Sequence, residues 1–419
     1  MWKKLIAYYK PHRTLFFLDM AAAFTVAVCD LFYPVITRSM INDYIPKRQM
    51  RLMLTWAGVL VLLYLLKAAL SYFMQYYGHV VGVRMQAHMR RDVFTHLQKL
   101  PFSYFDEHKT GSIMSRIVGD LMDISELAHH GPEDLFISIV LLAGSFAILC
   151  SINLWLTLII FCCIPVLVWI AARKRVKLDQ AFTDSRVKIA EVNANLENSI
   201  SGIRVSKAFG SREHEVEKFQ QGNLAFERSR SAAYKVMAEF FSSTGLVQDL
   251  LNVITIAAGG LFWYWGRIDV GDFAAYLLFV GIFLNPIKKL VSFVEMYQSG
   301  MTGFKRFLEI MAAEPEREAP DARDLGKVRG EIDFKDVTFV YDESKTVLSH
   351  ISLHIEPGRT VALVGPSGGG KTTLCHLLPR FYDVAEGAVS IDGVDVTQAT
   401  YESLRRNIGI VQQEVFLFT

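Results

Sequence analysis

The sequence predicts an all-α six-helix transmembrane domain with long cytoplasmic helical extensions, followed by part of a smaller α/β domain. Six apolar runs of about 20 residues lie before residue 294, and each is close to the length that a membrane-spanning helix needs. The segments between them mix apolar and charged residues with a helical period. After residue 330 the pattern changes to short alternating and β-branched runs, which are typical of strands.

Composition excludes several classes of protein. Hydrophobic residues make up 52% of the 419 residues, and the net charge of +2 gives no indication of a nucleic-acid partner. None of the five cysteines has metal-ligand spacing, and Cys162 and Cys163 are adjacent, so we expect reduced thiols rather than a disulfide framework. Residues 1–4 lead into no short apolar core with a small-residue cleavage site, so we expect no removable signal peptide.

The predicted membrane domain covers residues 1–311 and begins with a basic, amphipathic segment over residues 1–13. Such a segment suits the cytoplasmic face of a membrane. The six predicted spans follow at 15–36, 52–73, 135–152, 154–172, 246–265 and 273–293.

Loop charge predicts the orientation of these spans, because cytoplasmic loops carry an excess of lysine and arginine. With the N-terminus inside, the outer loops hold Lys47, Arg48, Arg51 and Arg267. The inner segments hold many more basic residues: Arg84, Arg90, Arg91, Lys99, Lys109, Arg116, Arg173, Lys174, Arg175 and Lys177. We therefore expect a multi-pass protein of the cell membrane with both termini in the cytoplasm.

The two long inner segments, residues 75–133 and 173–243, are predicted to be helices that continue out of the membrane. They contain few prolines and keep the helical period. Bends are expected at Leu100–Phe102, around Pro101, and at Gly210–Ser211.

Charged residues inside the predicted spans are expensive in a bilayer, and they generally face a cavity or a partner. Asp30, Lys67 and Asp249 are the candidates, with Gln248 beside Asp249, whereas Asp19 lies close enough to a span end to be interfacial. Two interpretations stay open. These side chains line a transport path, or they pair structurally within the helix bundle.

A linker rich in Glu, Pro, Ala and Arg is predicted over residues 312–329, and the α/β domain over 330–419. The predicted strands of that domain are 331–341, 347–355, 360–364 and 408–411, and residues 388–393 are predicted to form a strand and the turn that ends it.

A glycine-rich stretch between the 360–364 strand and a predicted helix over 374–381 matches the phosphate-binding pattern G-x-x-x-x-G-K-[ST]. Its glycines allow backbone N–H groups to surround a polyphosphate. Its lysine can contact the β- and γ-phosphates, and the hydroxyl that follows can ligate Mg²⁺. The predicted nucleotide-binding residues are Gly365, Pro366, Ser367, Gly368, Gly369, Gly370, Lys371, Thr372 and Thr373.

With this motif in place, the whole chain resembles a half-size type I exporter of the ABC transporter family, in which six membrane helices are fused to an ATP-binding cassette. The resemblance implies ATP and Mg²⁺ as cofactors. Tyr341 resembles the aromatic residue that stacks on adenine. Gln413 resembles the glutamine that positions Mg²⁺ and the attacking water, with Gln412 as the alternative, so Thr372 and Gln413 are the predicted metal ligands.

Two further stretches resemble the regions that couple the membrane domain to the cassette in this family. They are residues 100–106, followed by Gly111 and Asp120, and residues 197–209. The resemblance implies that these bends press into a cassette. It also implies that the fourth and fifth spans cross to a second half-transporter, as a homodimer or a heterodimer.

The family pattern includes a glycine-rich signature, an acidic strand with a catalytic glutamate and a switch histidine, and none of these motifs occurs between residues 1 and 419. We expect the sequence to be a fragment of a longer protein rather than a genuine truncation. The predicted function is the ATP-binding subunit of an ATP-hydrolysing exporter that moves a hydrophobic or amphipathic substrate, a small molecule, lipid or peptide. The alternative is a membrane scaffold or regulatory subunit that binds nucleotide without hydrolysing it. A third hypothesis is a membrane-anchored kinase or GTPase, but the sequence shows no acceptor-site or base-recognition motif for it.

Overall fold

The computed structural model describes residues 1–341 and 346–411. Its contacts divide the chain into two compact units. The first, called the membrane unit here, comprises Met1–Met85 and Asp123–Met301. The second, called the cassette unit, comprises Gln86–Met122 and Thr302–Thr419. The domain boundaries expected from sequence remain a prediction.

Eleven α-helices precede the cassette strands in the described chain. They are α1 Trp2–Tyr9, α2 Arg13–Ser39, α3 Met50–Phe73, α4 His79–Leu97, α5 Phe102–Glu107, α6 Thr110–Ser115, α7 Leu121–Ile152, α8 Leu154–Ser201, α9 Ile203–Ala208, α10 Arg212–Tyr264 and α11 Val270–Ala312. Short π-helical turns extend α2 at Met40–Tyr44 and join α3 to α4 at Met74–Gly78.

Six helical stretches of the described chain are long and apolar enough to cross a membrane. The predicted spans lie inside α2, α3, α7, α8, α10 and α11, apart from Trp265, which follows the end of α10. The all-α membrane domain predicted from apolar runs is therefore confirmed. The extensions are also helical, since α8 continues to Ser201 and α10 begins at Arg212.

The tight turn between α7 and α8 is fixed by buried hydrogen bonds. Asn153 caps α8 by accepting a hydrogen bond from the backbone N–H of Leu156 at 3.1 Å. The hydroxyl of Tyr276, which is fully buried, lies 2.8 Å from the carbonyl oxygen of Asn153 and 3.0 Å from that of Leu149. The Asn153 side chain satisfies an N–H that the start of α8 leaves free, and the Tyr276 hydroxyl ties α11 to the turn.

Both predicted bends of the extensions are confirmed. Helix α4 ends at Leu97, and α5 begins at Phe102 directly after Pro101. The second bend lies between α9 and α10, where Gly210 has a φ of +66° that favours glycine. The short helix α9, which starts after Gly202, was not predicted.

The cassette unit contains a four-stranded antiparallel sheet with the order β2-β1-β3-β4. The strands are β1 Ile332–Val340, β2 Thr346–Ile355, β3 Glu386–Ile391 and β4 Val394–Asp395. One face packs on α12 (Lys371–Leu377) and α13 (Tyr401–Arg406), with a core of Phe334, Val337, Phe339, Leu348, Leu374, Leu377, Val389, Ile391 and Leu404.

Two predicted strands and one helix end are wrong. Residues 360–364 and 408–411 form no strand, because a strand requires a hydrogen-bonded neighbour and no segment within 1–341 and 346–411 pairs with them. Val364 is 92% exposed rather than buried. Helix α12 ends at Leu377 instead of residue 381, because Pro379 has no N–H to continue it and Arg380 takes a φ of +53°.

Candidate functional site

The phosphate-loop stretch, residues 365–373, adopts a conformation that its glycines make accessible. Gly368 and Gly370 both have φ of +78°. A Cβ atom at Gly370 would lie 2.6 Å from Cδ2 of Leu348 and 3.2 Å from the carbonyl oxygen of Val347. The third position of the G-G-G run therefore needs glycine for two reasons, a left-handed backbone and close packing against β2.

Lys371 is the first residue of α12, and its side chain folds back over the loop. The Nζ atom donates hydrogen bonds to the carbonyl oxygens of Gly365 at 3.0 Å and Pro366 at 2.7 Å. The ammonium group thus sits against the start of the loop, where it can meet phosphate oxygens. Thr372 is exposed, and the neighbouring Thr373 is buried.

Tyr341 follows β1 and lies beside the start of α12. Its hydroxyl is 3.1 Å from Oγ1 of Thr373. Its ring meets Phe339 edge-on at 4.8 Å and Tyr382 edge-on at 5.1 Å, while 51% of the residue is exposed. An aromatic ring held at its edges with exposed surface can offer a face to a purine base. The structure brings Tyr341 to the phosphate loop, as its predicted role requires.

The structure describes one of the two predicted Mg²⁺ ligands. Thr372 is described, whereas Gln413 and its alternative Gln412 lie outside the described residues. Their assignment as metal ligands stays a prediction.

The first coupling stretch lies against the residues that follow α12. The hydroxyl of Tyr382 donates a hydrogen bond to Oδ2 of Asp106 on α5 at 2.6 Å. The rings of Phe102 and Phe381 stack with their centroids 4.1 Å apart. Burial and the Asp106 carboxylate hold the pKa of the Tyr382 hydroxyl well above its usual range. Tyr382 therefore stays a neutral donor at physiological pH.

A groove of 760 Å³ opens at this contact, and Asp106, Tyr341, Arg380, Tyr382 and Tyr401 are among its lining residues. One tyrosine, Tyr382, contacts both α5, through Asp106, and Tyr341, the residue predicted to stack on adenine. No sequence pattern predicted a role for Tyr382. The available signal was an aromatic pair directly after the phosphate-loop helix, and nothing local links that pair to α5.

The predicted linker is anchored at the same place. Glu316 donates its backbone N–H to the carbonyl oxygen of Lys99 at 2.7 Å. Its carboxylate accepts two hydrogen bonds from Arg405 of α13, at 2.8 and 3.1 Å. A bidentate arginine–carboxylate pair fixes geometry as well as charge. The linker thus holds the end of α4 and the cassette helix α13 together.

A second cavity, of 380 Å³, lies in the membrane unit among α8, α10 and α11. Apolar side chains form most of its wall, including Leu167, Phe240, Phe241, Ile287 and Val291. Arg175, Lys288 and Gln248 supply polar groups. The cavity is therefore amphipathic, with cationic groups beside an apolar surface.

Comparison with known proteins identifies the family. Residues 16–287 match the family model of the ABC transporter transmembrane region, and residues 348–419 match that of the ABC transporter. The chain belongs to the ABC transporter family. Because one membrane region and one ATP-binding region lie on a single chain, the protein is a half-size ABC exporter, a transporter that hydrolyses ATP.

Curated relatives of this ABC exporter align with its full length. An uncharacterized ABC transporter ATP-binding protein, YwjA of Bacillus subtilis (strain 168), is 40% identical over 100% of this chain and 73% of its own length. An ATP-dependent lipid A-core flippase of Syntrophus aciditrophicus (strain SB) is 30% identical over 100% of this chain and 70% of its own. A putative multidrug export ATP-binding/permease protein of Bacillus subtilis (strain 168), YgaD, is 26% identical over 100% of this chain and 73% of its own length.

The polar and charged residues predicted inside the exporter's spans differ in their surroundings: two form a salt bridge, one lines a cavity and one is exposed. Lys67 of α3 forms a salt bridge with Asp30 of α2, and both side chains are only partly exposed. Gln248 lines the 380 Å³ cavity, whereas its neighbour Asp249 is exposed on α10. For Asp30 and Lys67 the geometry favours the pairing interpretation.

We expect Lys67→Met to destabilise the exporter by roughly 2 kcal/mol, because it leaves the Asp30 carboxylate without its cation. The double variant Asp30→Asn/Lys67→Met is expected to recover most of that loss. Melting temperatures in detergent measure both effects, with Asp249→Asn as the exposed control. A folded double variant that has lost transport would instead place the pair on the transport path.

Proposed function

We propose that the chain is one half of a dimeric ATP-driven exporter that moves an amphipathic, anionic lipid-like compound across the cell membrane by alternating access. The observation that carries this proposal is the 380 Å³ cavity among α8, α10 and α11. Its apolar wall suits hydrocarbon, and its cationic groups suit an acidic head group.

The cations of the cavity differ in their availability. Arg175 already forms ion pairs with Glu295 of α11 and, at 3.3 Å, with Asp179. Lys288 is exposed, and none of the ion pairs among residues 1–341 and 346–411 involves it. Lys288 is therefore the cation that can bind a substrate anion. The lipid A-core flippases among the relatives support a lipid-like substrate.

At the nucleotide site, the proposed roles follow the geometry of the loop. Tyr341 stacks on adenine, the N–H groups of residues 365–373 and the Lys371 ammonium hold the phosphates, and Thr372 with Gln413 holds Mg²⁺. Gln413 also positions the attacking water. The closeness of Tyr341 to Thr373, at 3.1 Å between hydroxyl oxygens, supports this arrangement.

The partner is proposed to be a second half-transporter. Helix α9, in the second coupling stretch, exposes apolar side chains, with Val205 61% and neighbouring Phe209 81% exposed. Exposed apolar residues of this kind mark a contact surface. The excess of basic residues in the inner segments supports a cytoplasmic location for both termini.

The cavity proposal predicts a charge-selective defect. Lys288→Gln is expected to lower the initial rate of ATP-dependent flipping of a fluorescent anionic phospholipid about tenfold, because it removes a charge-assisted contact worth about 1.4 kcal/mol. Flipping of a zwitterionic analogue is expected to change by less than about twofold. The assay uses the full-length exporter in liposomes.

Lys305→Gln, an exposed lysine on the same helix α11, is the matched control. Equal rates for wild type and Lys288→Gln with the anionic lipid would overturn the role of Lys288. Absence of any lipid flipping by the active ATPase would overturn the substrate class.

A further inference from the structure

Histidine and carboxylate side chains from three helices meet in the membrane unit. Two triads share His129 of α7: His79 with His129 and His130, and Asp19 with His129 and Glu133. Within each triad the potential ligand atoms all lie within 4.8 Å of one another. This cluster, called the His129 cluster here, shares no residue with the phosphate loop or the α8–α10–α11 cavity.

The centre of the His129 cluster is closed to solvent. Asp19 is 2% exposed, His129 7% and Glu133 5%. The Oδ1 atom of Asp19 is buried and has no hydrogen-bond partner among the described residues. Nε2 of His129 is 3.7 Å from Oε2 of Glu133, which is too long for a hydrogen bond. A buried carboxylate oxygen without a partner is costly, and it points to a ligand that satisfies it.

The backbone of the join between α3 and α4 makes room for the central imidazole. A Cβ atom at Gly78 would lie 2.0 Å from Cε1 of His129, so no other residue fits there without displacing the ring. Gly78 ends the π-helical turn Met74–Gly78. Single π-helical turns of this kind often occur at functional sites.

His79, one of the two neighbouring histidines, is oriented as a metal ligand is. Nδ1 of His79 lies 2.7 Å from the carbonyl oxygen of Gln75, and a proton on Nδ1 leaves Nε2 as a free lone pair. The ring centroids of His79 and His129 are 4.7 Å apart, and those of His129 and His130 are 4.4 Å apart. His79 is exposed, which provides a route of entry for an ion.

Charge also favours a divalent cation. Asp19 and Glu133 together bring two negative charges into a buried site when both are ionised. The neighbouring cation is Lys289, whose Nζ atom lies 2.5 Å from Oδ1 of Asp134. The Asp134 carboxylate therefore already neutralises the charge of Lys289. A dication balances the two carboxylates, and neutral imidazoles complete its coordination.

We propose that the His129 cluster binds one divalent transition-metal ion of the Zn²⁺ class, with Asp19, His129 and Glu133 as ligands and His79 or His130 as the fourth. Zn²⁺ accepts imidazole nitrogen and carboxylate oxygen at about 2.0–2.2 Å, whereas Ca²⁺ and Mg²⁺ prefer oxygen alone. A tetrahedral site sets ligand atoms about 3.4 Å apart, so binding draws these side chains inward. The ion cross-links α2 to α7, and also to α4 when His79 is the fourth ligand.

The test uses the full-length exporter, purified in detergent without a polyhistidine tag, stripped with a chelator and titrated with Zn²⁺ against a chromogenic indicator. We expect one tightly bound ion per chain and a raised melting temperature, because the ion binds only the folded site. Asp19→Asn and Glu133→Gln keep side-chain size and are each expected to lower the affinity by at least about tenfold. His214→Gln, an exposed histidine on α10, is the control.

A wild-type exporter without a tight ion would overturn the proposal, as would unchanged affinity in folded Asp19→Asn and Glu133→Gln. Should these buried variants fail to fold, His79→Gln/His130→Gln alters the two less buried histidines and removes whichever supplies the fourth ligand. If that double variant binds Zn²⁺ with the wild-type affinity, the proposed metal site is likewise overturned. X-ray absorption of the Zn²⁺-loaded protein is expected to show mixed imidazole and carboxylate coordination.

Discussion

Replacing Lys371 with alanine is expected to abolish ATP hydrolysis and ATP-dependent transport by the full-length exporter. The side chain places its ammonium at the start of the phosphate loop, within 3.0 Å of the carbonyl oxygens of Gly365 and Pro366. Phosphoryl transfer depends on positioning and charge neutralisation, and a pre-positioned donor is worth about 10²–10³ in rate. The measurement is phosphate release in liposomes, with nucleotide binding followed in parallel.

Lys335→Ala is the matched control, because Lys335 is an exposed lysine of β1. We expect it to hydrolyse ATP at the wild-type rate. Hydrolysis by Lys371→Ala within about threefold of wild type would contradict the proposed role of the phosphate loop.

Asp106→Ala is expected to uncouple transport from nucleotide binding. The 2.6 Å hydrogen bond from Tyr382 to Asp106 joins α5 to a tyrosine that also packs against Tyr341. Loss of a hydrogen bond to an exposed charged acceptor removes about 1 kcal/mol, which corresponds to roughly a fivefold lower transport rate. ATP affinity is expected to stay within about twofold, because the phosphate loop is untouched.

Glu107→Ala removes the adjacent carboxylate of α5, which also lines the groove, and it is expected to transport normally. Tyr382→Phe is expected to reproduce the Asp106→Ala defect, and the double variant is expected to be no worse than either single change. Additive defects would show that the two side chains act independently.

Local patterns predicted the elements whose formation depends on local physics. The six spans follow from apolar length, because a bilayer requires about 20 apolar residues in a helix. The phosphate loop follows from residue types at fixed spacing, and the structure gives Gly368 and Gly370 the positive φ angles that the pattern implies. Strand β1 was predicted from alternation and β2 as a second candidate strand, and both formed because they pair with each other.

Long-range partners decided the remaining features. Residues 360–364 have a strand-like composition, yet they form no ladder because pairing depends on a neighbour that composition does not specify. Asp106 and Tyr382 are 276 positions apart, and Asp30 and Lys67 are 37 apart. The His129 cluster likewise collects Asp19, His79 and Glu133 from three helices. The sequence by itself determined which segments span the membrane and which loop is proposed to bind phosphate. Only tertiary packing decided which distant side chains meet, since no local period encodes their distance.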